Sequence, residues 1–416
     1  MINLDGAKKL LAGLLLASNI AFATPSTSPQ VTAYLNDQAQ IHNIDADVAQ
    51  EAVTYIVNNL AEPCPQQQQE LDTIFEQATE KTSTSIAQRF GHLFEAENPQ
   101  EYIDNRLRTV ESGHSPFSVD PTVKEVGAAV FKPIKPITMD GQEIQPDGRI
   151  VFGSMEIAQD EWTQVHELIH KLTFEQIDDN TFRTGFNTHT RDAHGYITGQ
   201  GRGLNEGATD LLTESVMGHP AQGGRYHNEV FIARQLAEVV GEDVFFKAKF
   251  KDPRILINEI GARHYNGIVR SLDEYNRHNG ILWNKLNGRE NPQEFENTVR
   301  ELAASDVRTG TITTGGMDTL TEEQRLARSA TARENHLEIA QQSILNVIEE
   351  QAIKQSMQSG MTGPEAQQVA NKKLIEHSER MLQDQTIPEA SRRVFEQTLQ
   401  RFQQQEKTQG AEMGKP

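Results

Sequence analysis

Apolar residues recur along this chain at two different spacings, and the switch between them divides it. Over 31–112 the spacing is helical. Ile56 and Leu60 share one stripe, and Leu71, Ile74 and Phe75 begin another; residues three and four apart lie on one helix face. Pro63 and Pro65 separate the stripes, and further helices are predicted over 82–95 and 99–110. From Pro116 the pattern turns to β-type runs at 125–131 and 149–154, with Pro133, Pro136, Asp140-Gly141 and Asp147-Gly148 between them. Turn residues between short apolar runs predict a small antiparallel sheet whose last strand feeds the next helix.

That helix is predicted over 158–174, where Trp162, Val165, Ile169 and Leu172 make an apolar face. A glycine-containing polar loop is expected over 178–203. The next helix runs from Leu204 to Gly218, a natural C-terminal stop. Helices at 228–241, 255–263 and 269–278 follow. From about 318 the chain is rich in Gln and Glu and reads as helical, with Leu337, Ala340, Ile344, Ile348 and Ala352 in one stripe. Thr362-Gly363-Pro364-Glu365 has the form of a capping box with a first-turn proline, and Val394, Thr398 and Phe402 mark a last helix. The final ten residues are expected to be disordered. The predicted class is α+β, mostly α: a signal peptide at 1–23, a helical domain at 24–115, a mixed domain carrying the sheet at 116–310 and a helical C-terminal region at 311–416.

Three features bound the partners. Lys8 and Lys9 precede an apolar run that ends in Ala21-Phe22-Ala23 before Thr24-Pro25, the pattern of a cleaved secretory signal. The run is shorter than the roughly 20 residues a bilayer needs. Export to the periplasm or the exterior, without stable membrane insertion, is the expectation. Residues 24–30, rich in Ser, Thr and Pro, read as a flexible start to the mature chain. Acidic residues outnumber basic ones by 59 to 39, for a net charge of −20. That field repels a phosphate backbone, and no basic patch offsets it, so nucleic acid is not an expected partner. The single cysteine, Cys64, forms no internal disulfide and reads as a surface thiol.

The chemistry is concentrated in His166-Glu167-Leu168-Ile169-His170. On a helix, residues four apart stack on one face, so both imidazoles reach a single point. Zinc takes such nitrogens at about 2.0–2.1 Å. Glu167, about 100° further round, reaches a bound water without coordinating. A catalytic zinc needs a third protein ligand and an open position. Glu206 supplies the candidate, in Gly203-Leu204-Asn205-Glu206-Gly207-Ala208-Thr209-Asp210. Asp210, one turn on, and Asn205 are candidates to orient the ligands.

His166-Glu167-x-x-His170 followed by Asn205-Glu206-x-x-x-Asp210 resembles the gluzincin clan of zinc metallopeptidases, which includes thermolysin and anthrax lethal factor. The resemblance spans roughly 149–241. It implies a zincin-like catalytic domain, zinc held by His166, His170 and Glu206, and Asp210 as partner of His166. It also implies an upstream edge strand that pairs with an extended protein or peptide substrate. Two departures are plain: the gap before Glu206 is longer than in thermolysin, and Gly153-Ser154-Met155-Glu156 resembles the exopeptidase motif of gluzincin aminopeptidases but lies too close to His166. Glu156 is therefore read as an ordinary helix-start carboxylate, and an endopeptidase is expected. In the implied mechanism zinc activates water, Glu167 is the general base, and a Tyr or His downstream of the third ligand donates to the oxyanion. Tyr226 is preferred over His227 for that role; His189, His194 and Tyr196 in the long loop are weaker candidates. Two competing readings stand beside this one: an exported effector or interaction protein with a vestigial zinc site, and a zinc hydrolase acting on something other than peptides.

Overall fold

The computed structural model describes residue 7 and residues 36–42, 44–50, 52–53, 65–109, 116–119, 129–131, 137–139, 142–144, 149–178, 181–191, 197–220, 226–286 and 322–413. Ile56, Leu60, Cys64, His194, Tyr196 and the predicted signal peptide other than residue 7 lie outside these residues. No described helix is long and apolar enough to cross a membrane. The described chain is mostly helical, with small sheets, which is the α+β class expected. By internal contacts it divides into two units, 1–81 with 104–168 and 82–103 with 169–416.

Helix α1 (Pro65–Phe90) is continuous where two helices meeting near Thr82 were predicted. Short hydroxyl side chains compete for backbone hydrogen bonds, so the Thr82-Ser83-Thr84-Ser85 run reads as a break. In the fold Thr79, Thr82 and Ser83 are buried, and Thr82 completes the stripe Leu71, Phe75, Ala78, Ile86, Phe90. Burial of that stripe overrides the local preference. Helix α2 (Pro99–Arg108) follows.

In the first unit, β1 (Phe117–Val119), β2 (Ala129–Phe131) and β5 (Ile150–Phe152) form one sheet in the order β1-β5-β2. β2 runs antiparallel to β5, as predicted, but β1 runs parallel to it, pairing Phe117 with Ile150 and Val119 with Phe152. Parallel pairing needs a long crossover. The stretch between β1 and β5 supplies it and carries the antiparallel pair β3 (Ile137–Met139) and β4 (Gln142–Ile144) on either side of Asp140-Gly141. The strand leading to the histidine helix is therefore the central one, paired on both sides. Its core is aromatic: Phe117 packs edge-to-face on Phe75 at 5.1 Å and on Phe152 at 4.9 Å. Such pairs add about 0.5–1.5 kcal/mol each beyond area burial.

β5 runs into a short helix, α3 (Met155–Ala158), started by Ser154, whose Oγ accepts from the Ile157 amide at 3.3 Å. Asp160 then restarts the chain: its Oδ2 accepts from the Thr163 amide at 3.0 Å. Helix α4 (Glu161–Leu172) follows and is the predicted helix with a later start; the short helix α3 before it was not predicted. Its Val165, Leu168 and Ile169 are buried.

In the second unit the expected polar loop is a four-stranded antiparallel sheet, β6 (Phe174–Gln176), β7 (Thr181–Thr184), β8 (Asn187–Arg191) and β9 (Ile197–Gln200). The helix predicted to reach Phe174 stops at Leu172 because Phe174 opens this sheet. Threonine recurs along it, at 181, 184, 188, 190 and 198. Threonine favours strands by shape without raising hydrophobicity, so the alternation that marks a strand is absent. Gly185, at φ +58, makes the tight turn between β7 and β8.

Helix α5 (Arg202–Met217) stops at Gly218, φ +77, whose amide returns to the Glu214 carbonyl at 2.8 Å. Then come α6 (His227–Val240), α7 (Glu242–Phe250), α8 (Arg254–Ile260) and α9 (Ala262–Leu286). α7 was not foreseen. α9 is longer than predicted and starts after Gly261. α10 (Glu322–Gln358) packs on α9, and α11 (Gly363–Leu382) and α12 (Glu389–Met413) pack on α10. The Thr362 capping box is present, with the Thr362 amide donating to Glu365 Oε2 at 2.8 Å. α12 runs through Met413, so the terminal disorder expected does not hold for those described residues. Gln235 of α6 and Gln341 of α10, both buried, exchange amide hydrogen bonds at 2.8 and 2.9 Å.

Candidate metal centre

α4 presents His166 and His170 one turn apart, and α5 presents Glu206 in its second turn. These residues are 8%, 9% and 9% exposed, and one ligand atom from each lies within 4.8 Å of the other two. The three residues that the sequence singled out are thus brought together from two helices. His170 Nε2 lies 3.3 Å from Glu206 Oε2. Glu167 is buried on α4 beside His166.

Close packing around α5 sets the position of Glu206. A Cβ on Gly203 would stand 2.6 Å from the Leu272 carbonyl oxygen, and one on Gly207 would stand 2.3 Å from that of Glu229. These two glycines, four apart on one face, let the backbones of α9 and α6 approach α5 directly. Asp273 of α9 then accepts hydrogen bonds from the Gly201 and Gly203 amides at 2.7 and 2.9 Å. It caps a helix whose own N-cap, Gly201, has no side chain to do so. Burial raises the Asp273 pKa; the two amide bonds oppose that rise without cancelling it.

A polar chain supports His170 from behind. Asn205 Nδ2 lies 3.3 Å from His170 Nδ1, and its Oδ1 accepts from the Phe186 amide at 3.2 Å and from Lys249 Nζ at 2.9 Å. Lys249 also donates to Thr209 Oγ1 at 2.8 Å. Lys249 is fully buried; desolvation lowers its pKa to about 7, and Glu206 and Asp210 hold it from falling further. Asp210 is buried on α5, one turn beyond Glu206.

A second layer lies toward solvent. Arg202 Nε is 3.8 Å from Glu206 Oε1. Partial desolvation works against the Arg202 charge, although its side chain is 59% exposed; Glu206 and Tyr226 outweigh that, so its pKa is raised. Tyr226, at the N-cap of α6, therefore stands beside the guanidinium that faces Glu206. His227 turns elsewhere, its Nε2 3.0 Å from the Thr386 carbonyl. His189, in β8, stacks on Phe182 at 4.6 Å; burial lowers its pKa and the Arg202 charge adds to that. Glu156 is exposed in the first turn of α3, the ordinary helix-start position expected of it.

Lys249, Arg202 and Asp273 were not singled out from the sequence. Lys249 sits in the apolar run Val244-Phe245-Phe246-Lys247-Ala248-Lys249-Phe250, where a cation is unusual, but the run does not say which of its two lysines is inside. Compared with family models, with characterised protein sequences and with solved structures, the chain gives no match.

Proposed function

We propose that this chain is a zinc-dependent peptidase of the gluzincin type, an exported endopeptidase in which His166, His170 and Glu206 hold the metal. The single observation that carries the reading is their buried convergence from α4 and α5. Two imidazoles and one carboxylate are a donor set that suits zinc and leaves a fourth position for solvent. A bound zinc would supply a water acidified towards neutral pH and a Lewis acid for a carbonyl oxygen.

The chain's own groups then have separate tasks. Glu167, adjacent to a ligand and not itself in the ligand set, takes the proton of the attacking water and passes it to the leaving amine. The Tyr226 hydroxyl, anchored by Arg202, is the donor for the developing oxyanion. Arg202 also presents a positive charge to Glu206, with Nε 3.8 Å from Oε1. Asn205 fixes the His170 ring. The −20 net charge excludes a nucleic-acid backbone more readily than a peptide.

Glu167→Gln tests the reading. The variant should retain its metal while hydrolysis of a mixed peptide library falls by at least about 100-fold, within the range expected for loss of a general base. Undiminished cleavage would remove Glu167 from the mechanism. Absence of any chelator-sensitive cleavage by the wild type would favour the non-peptidase readings.

A further inference from the structure

Glu274, His278 and His336 form a second convergence, built wholly within the second unit. They are 7%, 2% and 3% exposed, and one ligand atom from each lies within 4.8 Å of the others. Glu274 and His278 are one turn apart on α9 and so share a face. His336 comes from α10, its ring stacked on that of His278 with centroids 5.8 Å apart and planes at 22°. Ser329, also of α10, has its Oγ 2.7 Å from His278 Nδ1. That contact is the kind that sets the tautomer of a ligating imidazole and leaves Nε2 for the metal.

We propose that these three side chains, with an enclosed water as fourth ligand, bind a structural zinc ion that clasps α10 to α9. The donor set is nitrogen, nitrogen and oxygen; imidazoles select zinc or a similar first-row ion over magnesium or calcium. Zinc ligands at about 2.0–2.1 Å lie at most about 4 Å apart, so closure requires the groups to draw in by an ångström or so. The neighbouring cations do not block this. Arg277 Nη1 is 3.7 Å from Glu274 Oε2 with its side chain 51% exposed, so it can withdraw to solvent. Arg333 Nη2 is held by Glu334 at 2.9 Å. Burial makes the site unsuited to substrate and suited to holding two helices together.

The test counts metal in the full-length chain, stripped with chelator and re-equilibrated with zinc chloride alone. Wild type should hold two zinc ions per chain, His170→Ala one, His336→Gln one, and the double variant none. Chelator should lower the Tm of His170→Ala by about 5 °C or more and leave the double variant unmoved. A His170→Ala protein without zinc, or a His336→Gln protein with the wild-type count, would overturn the proposal. If His336→Gln does not fold, His170→Ala decides: X-ray absorption of its remaining zinc should report two imidazole nitrogens. A wild-type count of one that His336→Gln abolishes and His170→Ala leaves intact would keep this site and refute the catalytic one.

Discussion

His170 is held from behind by Asn205. Asn205 offers its nitrogen to Nδ1 because its oxygen is already used by the Phe186 amide and Lys249. On the other edge of the ring, His170 Nε2 faces Glu206 Oε2. Asn205 is thus the residue on which ligand geometry depends without being a ligand. Asn205→Leu should weaken zinc affinity by about 10–100-fold, the usual effect of removing a ligand's hydrogen-bond partner. Competition with a zinc-responsive dye measures it; an unchanged affinity would show that the ring needs no such support.

At the scale of elements, α5 depends on what it lacks. Gly203 and Gly207 have no room for a methyl group against the α9 and α6 backbones. Gly207→Ala should destabilise the fold by about 1–3 kcal/mol through overpacking, read as a lower urea midpoint at unchanged m. Because the same helix carries Glu206, its displacement should also reduce metal binding. A variant as stable as wild type would mean that the helices separate freely. Helix α4 shows the complementary case: Asp160 sets its start, and the two histidines follow at fixed angular positions whatever the surroundings.

At the scale of the molecule, the C-terminal helices are tied into the second unit through buried polar groups. His377 of α11 lies with Nε2 3.3 Å from Gln235 Oε1 and Nδ1 3.2 Å from Arg380 Nη2, against the Phe395 ring. Burial, then the Arg380 charge, lowers its pKa to about 4, with Glu238 opposing. Neutral His377 is thus favoured in the folded state. Stability contributed by this group is present above the unfolded value of 6.5 and is lost as pH falls from there towards 4. The loss has a slope of about 1.4 kcal/mol per pH unit and totals roughly 3 kcal/mol. The stability difference between wild type and His377→Gln should shift by about 2 kcal/mol of this between pH 7 and pH 4.5 in urea titrations. A difference independent of pH would mean that His377 is protonated alike in both states.

Much of the helical plan was legible because helices announce themselves locally. The α5 stop at Gly218, the Thr362 cap and the apolar stripe of α10 follow from neighbouring residues alone. So does the facing of His166 and His170, a consequence of helical pitch. The threonine-rich sheet was not legible, since its strands carry no hydrophobic alternation. Nor was the parallel seat of β1 beside β5, which depends on a crossover rather than on either strand. The approach of Glu206 to the histidines, the insertion of Lys249 behind Asn205, the capping of α5 by Asp273 and the meeting of His336 with His278 all join residues distant in sequence. Local sequence sets helix faces and ends; which faces meet is settled by packing of the whole chain.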